Sequence, residues 1–305
     1  MLVLSPYDVL VQGFDACNGL PDNFTGPWTE QRTSEFKSHY GSSPVVLANM
    51  WYDMTTTEID LGMEHEDVSY KGFKMFLIAH HFLWTYPKNA QLLASRFGIC
   101  ERNARGENLW RWIRMFAKLK AKKIVWDQSF DDPNSQIYII TIDGTDYKAW
   151  EKKHPTLSRD KGQYSHKFNH GALKYEIAVD IYRSKIVWIS GPHRGGKHDK
   201  TIYDEGLKHK IGPGKKVITD RVYGSKANPD DHEKLALPNS MDDAVLANFK
   251  SRARCRHETL NGRLKFFACL DKTFCHNLDN HVHTFEAVCV IVQYQMDNGG
   301  ELFAT

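Results

Sequence analysis

The pattern of hydrophobic and polar positions divides the chain near its middle. Up to about Val125, apolar residues recur at helical spacing and many of them are aromatic. From about Gln136 the pattern changes to short runs rich in β-branched residues, which predict strands at 137–142, 175–180, 185–190 and 216–219. The turn-forming residues at 131–135 mark the change. We therefore predict a helical N-terminal region, residues 1–126, and a second domain, residues 136–298.

The order of the elements after residue 136 favours an α/β fold with a mixed sheet and flanking helices. Residues 180–184 supply a turn between two strand-like runs, so these strands are expected to be antiparallel neighbours beside the first strand. The segment after Asp199 predicts a helix with Asp199 as its N-cap. Glu258 lies in a later segment with helical periodicity.

A stretch of the N-terminal region, about residues 88–118, has the pattern of a helix-turn-helix. Apolar and small residues fall where that motif needs buried contacts and a turn glycine: Leu93, Ala94, Phe97, Gly98, Ile99 and Ala104. The second helix would then present Arg102, Asn103 and Arg105 to DNA. A purely structural helical hairpin explains the same pattern. The residues that follow at a spacing of three, Trp110, Ile113 and Phe116, are predicted to belong to the core.

Composition describes a globular protein with little net charge. Hydrophobic residues make up 41% of the chain, and 40 Lys and Arg are nearly balanced by 37 Asp and Glu. The distribution is more informative, because six basic residues surround Glu258 as the single acid between positions 250 and 265: Lys250, Arg252, Arg254, Arg256, Arg263 and Lys265. Such a surface suits an enzyme that acts on phosphodiesters. A solvated helix face has the same composition.

The six cysteines show neither CxxC pairs nor the dense spacing of a secreted scaffold, which favours reduced thiols inside the cell. The first ten residues lack the basic region of an export signal, and the longest late apolar run, 287–292, is too short to span a bilayer. Several thiols and imidazoles share the C-terminal stretch: Cys255, His257, Cys269, Cys275, His276, His281 and His283. Their spacing matches no zinc-finger pattern, so we interpret them as buried thiols and surface histidines.

Three acids form the candidate catalytic set. Asp143 follows an apolar run and precedes a glycine, where we expect the strand to end, and Asp220 follows the run at 216–219. Glu258 lies on the helix stripe of Arg254, Asn261 and Lys265, turned away from the apolar stripe of Leu260, Leu264 and Phe267. Each acid alone has a simpler interpretation as a turn cap or a surface residue. Two strand-end Asp followed by a helical Glu are the arrangement that two-metal phosphodiester chemistry requires.

At these residues the sequence resembles the DDE transposases of the PIF/Harbinger and IS5-like kind, including the domesticated Harbinger-derived nuclease-like proteins. The resemblance covers about residues 136–298 and rests on four segments: 143–145, 190–201, 219–224 and 256–265. Three features depart from the family pattern. Asp146 stands where many members have histidine, Arg221 to Tyr223 replace a small residue and Gly-Tyr, and Asp220 and Glu258 are only 258 − 220 = 38 positions apart.

The resemblance implies an RNase H-like catalytic domain that binds two Mg²⁺ or Mn²⁺ ions about 4 Å apart. Asp143 would bridge both ions, and Asp220 and Glu258 would each hold one of them. It further implies hydrolysis of DNA at transposon ends and joining of the freed ends to target DNA. The expected partners are double-stranded DNA, a second copy of the chain or a larger assembly on DNA, and a Myb-like accessory DNA-binding protein.

Basic residues outside this set are candidates for DNA contact. The link between the first two strands carries a group of them, in which a solvated loop is the alternative interpretation: Lys152, Lys153, His154, Arg159, Lys161, His166, Lys167, His170 and Lys174. The residues expected to bind DNA in the catalytic domain are Lys167, Lys174, His198, Arg254 and Lys265. Lys118 to Lys123 have the composition of a nuclear import signal or of a basic helix end, and we expect a nuclear protein.

Three functions remain open at this point. An active transposase requires all three acids. A domesticated DNA-binding protein would keep the fold and DNA binding without transposition. A metal-dependent nuclease would cut DNA but would not join it.

Overall fold

The computed structural model describes residues 2–17, 28–150, 161–224 and 233–305. They form two compact units: the first comprises Met1–Lys123, Leu264–Lys272 and Asp279–Gly300, and the second comprises Ile124–Arg263, Thr273–Leu278 and Glu301–Thr305. The predicted domain limits, 1–126 and 136–298, stay a prediction, because compact units report contacts and not independent folding.

The helices are distributed over both units. In chain order they are α1 Pro6–Ala16, α2 Glu30–Tyr40, α3 Pro44–Thr56, α4 Tyr70–Thr85, α5 Ala90–Phe97, α6 Glu101–Arg105, α7 Glu107–Lys118, α8 Lys120–Lys123, α9 Asp199–Glu205, α10 Ala244–Lys265, α11 Ala268–Asp271 and α12 Asp279–Asp297. Among the described residues, no helix is both long enough and apolar enough to cross a membrane.

Hydroxyl and amide side chains start the helices of the first unit. Ser5, Thr29, Ser43, Ser69 and Asn89 each accept a hydrogen bond from a backbone N–H of the first turn. The helices pack through aromatic rings. The ring centroid of Trp51 lies 5.0 Å from that of Phe73 and 5.4 Å from that of Phe76. Trp110, Ile113 and Phe116 are buried, which confirms the prediction that they belong to the core.

The structure does not show a helix-turn-helix within residues 88–118. The expected small and apolar contacts Leu93, Ala94, Phe97 and Ala104 are buried, and Gly98 adopts a left-handed conformation with φ of 59° at the end of α5. The helix that would enter the major groove, α6, has only five residues and ends at Gly106. DNA contact by Arg102, Asn103 and Arg105 of this helix stays a prediction.

The second unit is built on a mixed sheet. Its strands are β1 Tyr138–Lys148, β2 Tyr164–Ser165, β3 His170–Asp180, β4 Ile186–Arg194, β5 Lys216–Ile218 and β6 Leu235–Ala236. The order is β2-β3-β1-β5-β6, with β4 also paired to β3. β1 is antiparallel to β3 and parallel to β5, and β3 is antiparallel to β4. This mixed sheet with flanking helices is compatible with an RNase H-like domain.

Two local predictions in this unit were wrong. β1 does not end at Gly144 but continues to Lys148, because β3 pairs with it in unbroken antiparallel register from residue 140 to residue 148. Asp199 is not the N-cap of α9. His198 takes that position, since its Nδ1 accepts the backbone N–H of Lys200, and Asp199 is thereby free to point toward the sheet.

Helices cover both faces of the sheet. On one face α9 contributes Tyr203 to a core that includes Ile140, Ile142 and Ala178. Ala253 and Phe249 of α10 pack with Ile218 in a second cluster. Side chains of β1 alternate between the faces, so Thr141 and Asp143 point away from the face of Ile140 and Ile142.

A buried lysine fixes the start of β5. Lys215 is 3% exposed, and its ammonium donates to the backbone oxygens of Asp132, Ser135 and Gln136 and to the Ser135 hydroxyl 2.8 Å away. These acceptors lie in the turn immediately before β1. Lys215 therefore ties the beginning of β5 to the beginning of β1.

We predict that Lys215→Met lowers the free energy of unfolding by about 2–3 kcal/mol, because four partly buried acceptors lose a charged hydrogen-bond donor. Urea denaturation would measure the change. Lys88→Met serves as the control, since Lys88 is exposed. Equal stability of the two variants would contradict the role of Lys215.

Candidate active site

The register of two parallel strands brings Asp143 and Asp220 together. Thr141 of β1 is paired with Ile218 of β5. Asp143 lies two residues beyond Thr141, and Asp220 lies two residues beyond Ile218. Because the strands run in the same direction about 4.8 Å apart, both aspartates lie at the same level of the sheet.

α10 adds Glu258 to these two aspartates. All three acids line one cavity of about 70 Å³, together with Thr141, Ile142, Arg254 and His257. Glu258 is exposed, whereas Asp143 is half-buried. The structure thus brings the three predicted acids to one place, although Asp143 lies in the middle of a strand and not at its end.

Residues next to the acids in sequence are hydrogen-bonded to β1. Thr219, which precedes Asp220, donates to the Ile142 carbonyl at 3.2 Å. His257 precedes Glu258, and its Nδ1 lies 2.9 Å from Thr141 Oγ1. These two contacts fix the backbone on which Asp220 and Glu258 stand.

Asn261 contacts an acid directly. Its Nδ2 donates to Asp143 Oδ2 at 3.0 Å. The sequence interpretation placed Asn261 on the stripe of Glu258 but gave it no role. A polar residue one turn after a candidate acid was the only signal available, and many solvated helix faces share it.

Burial and neighbouring acids make Asp143 costly to ionise. Burial raises the pKa of Asp143 to about 7, and the charges of Asp220 and Asp199 add to this effect. The positive charge of Lys167 and the backbone N–H of Gly144 act in the opposite direction. Lys167 is exposed, so the charge that opposes the rise in the pKa of Asp143 belongs to a solvent-exposed ammonium group.

An ion-pair chain supports β1 from its other face. The Asp199 carboxylate lies against Gly144, where any Cβ would overlap it. Lys174 Nζ lies 2.8 Å from Asp199 Oδ1 and 3.7 Å from Asp146 Oδ1. Ser165 donates to the other oxygen of Asp146. The acid at position 146, which departs from the family pattern, is therefore part of a connected network.

The residues predicted to bind DNA occupy different environments. Arg254 lines the cavity of the three acids, and Lys167 is exposed near it. The Lys174 side chain is 12% exposed and is engaged with two acids. His198 is exposed at the start of α9. DNA contact by each of them stays a prediction.

Other predicted DNA contacts lie elsewhere or outside the description. Lys265 is half-buried and belongs to the first unit, as do the exposed Arg102 and Asn103. The side chain of Arg105 and the basic residues Lys152, Lys153, His154 and Arg159 lie outside what the structure describes.

The chemistry of the three acids fits a divalent cation, although their arrangement is not closed around one. Carboxylate oxygens are the ligands that Mg²⁺ prefers, and the repulsion that Asp143 experiences is what a cation would relieve. Within the described ranges, no three His, Cys, Asp or Glu side chains are arranged as a metal-binding group. The carboxylates line the cavity without meeting at one point.

We predict that Asp143→Asn stabilises the protein in EDTA, and that the gain grows as the pH rises from about 4 to 7. The pKa of Asp143 is higher in the folded state than in the unfolded state. The contribution of Asp143 to stability is therefore fully present below its pKa in the unfolded chain and is lost as the pH rises through about 7. Asparagine carries no charge and avoids this loss. At pH 8 the free energy of unfolding of Asp143→Asn should exceed that of the wild type by on the order of 2 kcal/mol.

Urea denaturation at several pH values would measure this difference, with Asp131→Asn as a control at an exposed position. A stability difference that stays constant with pH would contradict the assigned environment of Asp143.

Comparison with known proteins supports the same chemistry. The model of a family described as DDE superfamily endonuclease matches residues 142–293, a segment that includes Asp143, Asp220 and Glu258. Comparison with curated proteins and with solved structures gave no match. The family match supports a DDE transposase-like family and a nuclease-type function with DNA as substrate; it does not distinguish the PIF/Harbinger branch from others.

Proposed function

We propose that this protein is a DDE transposase that hydrolyses DNA phosphodiester bonds at transposon ends and joins the freed ends to target DNA. The observation that carries the proposal is the convergence of Asp143, Asp220 and Glu258 on one cavity beside Arg254. Acids alone would repel a DNA backbone. A cavity that combines cation ligands with a guanidinium suits a phosphodiester.

Each side chain has a role that follows from its position. Asp143, Asp220 and Glu258 would hold two Mg²⁺ or Mn²⁺ ions, with Asp143 between the other two. When bound, the ions supply activation of the attacking oxygen and stabilisation of the leaving oxygen. Arg254 would contact a phosphate oxygen next to the cleaved bond, and Lys167 would attract the DNA backbone toward the cavity. No protein nucleophile is required.

The narrower assignments belong to the same proposal. We assign the chain to the PIF/Harbinger branch because of the four sequence segments that resemble it. This branch implies a nuclear protein that acts with a Myb-like DNA-binding partner and as a dimer or larger assembly on DNA. A separate DNA-binding partner is consistent with α6 having only five residues.

One observation favours a second candidate, a domesticated DNA-binding protein or a nuclease that does not transpose. In the part of the chain that the structure describes, the three acids are not closed into a metal-binding group. A protein that had lost cation binding would keep Arg254 and Lys167 for DNA contact. The two candidates differ in metal-dependent cleavage and in strand joining.

We expect the purified chain to nick supercoiled plasmid DNA in Mg²⁺ or Mn²⁺ and not in EDTA. Asp143→Asn, Asp220→Asn and Glu258→Gln should each reduce the nicking rate by at least about 100-fold, because each removes one charged ligand. Asp131→Asn is the matched control, since it makes the same change at an exposed position.

Adding a linear duplex with free 3′-hydroxyl ends would test joining, since a transposase inserts such ends into the plasmid. Nicking without insertion would favour the nuclease alternative. DNA binding without nicking in either metal would favour the domesticated protein. Nicking that survives in any one of the three acid variants would contradict the assigned set.

A further inference from the structure

Two hydrogen bonds from α10 to β1 flank Glu258. His257 Nδ1 lies 2.9 Å from Thr141 Oγ1, and Asn261 Nδ2 lies 3.0 Å from Asp143 Oδ2. Thr141 and Asp143 are two residues apart and point to the same face of β1. His257 and Asn261 are four residues apart and lie one turn from each other on α10.

The distance between the two hydrogen bonds is nearly the same along the strand and along the helix. Two residues of a strand advance about 6.7 Å. Four residues of an α-helix advance about 6 Å. The helix and the strand therefore run alongside each other at this point, and a rotation or a one-residue slip of α10 would break both bonds. Glu258 lies between the two anchors, so its position relative to Asp143 is fixed by them.

Asn261 is suited to orient a carboxylate that binds a cation. The terminal torsion of an aspartate is soft, so a hydrogen bond is needed to hold it. A neutral amide donates to Oδ2 and leaves Oδ1 for another partner. A lysine or arginine at this position would neutralise Asp143 and compete with a cation, and an acid would add to the repulsion.

The side-chain oxygen of Asn261 lacks a hydrogen-bond donor in the described structure. Its Oδ1 is buried and has no hydrogen-bond partner among the described residues. A buried oxygen without a donor is energetically unfavourable. An unpaired acceptor beside Asp143 fits a water molecule in the hydration shell of a bound cation, which has protons to donate.

We propose that Asn261 is a positioning residue of the candidate active site: it fixes the orientation of the Asp143 carboxylate in the cavity and accepts a hydrogen bond from water bound to the cation. The His257–Thr141 contact sets the rotation of α10 that makes this possible. The inference rests on the proposed function in that it requires divalent cations at Asp143; it does not require DNA joining.

The test is a titration of the full chain with Mn²⁺ in the absence of DNA, followed by the loss of the free-ion EPR signal. Asn261→Leu keeps the approximate shape and removes the amide. It should weaken Mn²⁺ binding by about 10–100-fold, the range seen when a residue that orients a metal ligand is lost. Asn248→Leu is the matched control, because Asn248 is exposed on the same helix.

A double-mutant cycle separates positioning from a general loss of structure. If Asn261 acts mainly through Asp143, Asn261→Leu should weaken Mn²⁺ binding clearly less in an Asp143→Asn background than in the wild-type background. A merely structural role predicts the same loss in both backgrounds. Thermal unfolding would verify that each variant folds, and Asn261→Ala replaces the leucine variant if that one does not.

Cleavage provides an independent readout. In single-turnover nicking, Asn261→Leu should be slow at low Mn²⁺ and recover toward the wild-type rate at high Mn²⁺, with DNA affinity unchanged. Mn²⁺ affinity equal to wild type, or an equal loss in both backgrounds, would overturn the proposal. Wild-type binding of Mn²⁺ that depends on Asn261 without any nicking supports the positioning role and contradicts the proposed function. A wild-type chain that binds no Mn²⁺ overturns both.

Discussion

The arrangement of the candidate site depends on one constraint, the anchoring of three separate chain segments to β1. Asp143 belongs to this strand. Thr219 binds the Ile142 carbonyl beside Asp220, and His257 binds Thr141 beside Glu258. The acids are 77 and 38 positions apart in sequence (220 − 143 and 258 − 220), and neither local propensity nor composition would bring them together. The hydrogen bonds of Thr219 and His257 to β1 bring Asp220 and Glu258 close to Asp143, and they do not involve the carboxylates.

This division of tasks has an energetic reason. Carboxylates that are gathered in a half-buried cavity lose hydration and repel each other, and the raised pKa of Asp143 reflects its burial first and the charges of Asp220 and Asp199 second. If the acids also had to hold the segments together, protonation or metal loss would loosen the fold. Anchoring through Thr219 and His257 leaves the carboxylate oxygens of Asp220 and Glu258 for ligands.

The sequence predicted the features that follow from local periodicity. The runs at 137–142, 175–180, 185–190 and 216–219 are strands because their β-branched residues alternate or are buried on both faces. The helix-turn-helix stays a prediction, because buried contacts at the expected positions do not determine helix length, and α6 ends after five residues. Asn261 was missed as a contact of Asp143 because a helix residue's partner on a strand 118 positions away leaves no periodic signal.

The error at Gly144 shows why a glycine can mislead. Glycine after an apolar run usually indicates a turn, and on that basis the strand was expected to end there. In the structure Gly144 is mid-strand, and its missing side chain leaves the space that the Asp199 carboxylate occupies. Lys174 holds Asp199 there, which is why this lysine is engaged on the opposite face of the sheet from the Asp143 side chain. β1 is therefore held on both faces, by α10 through Thr141 and Asp143 and by α9 through Asp199, and a strand fixed on both faces gives its carboxylate little freedom to move.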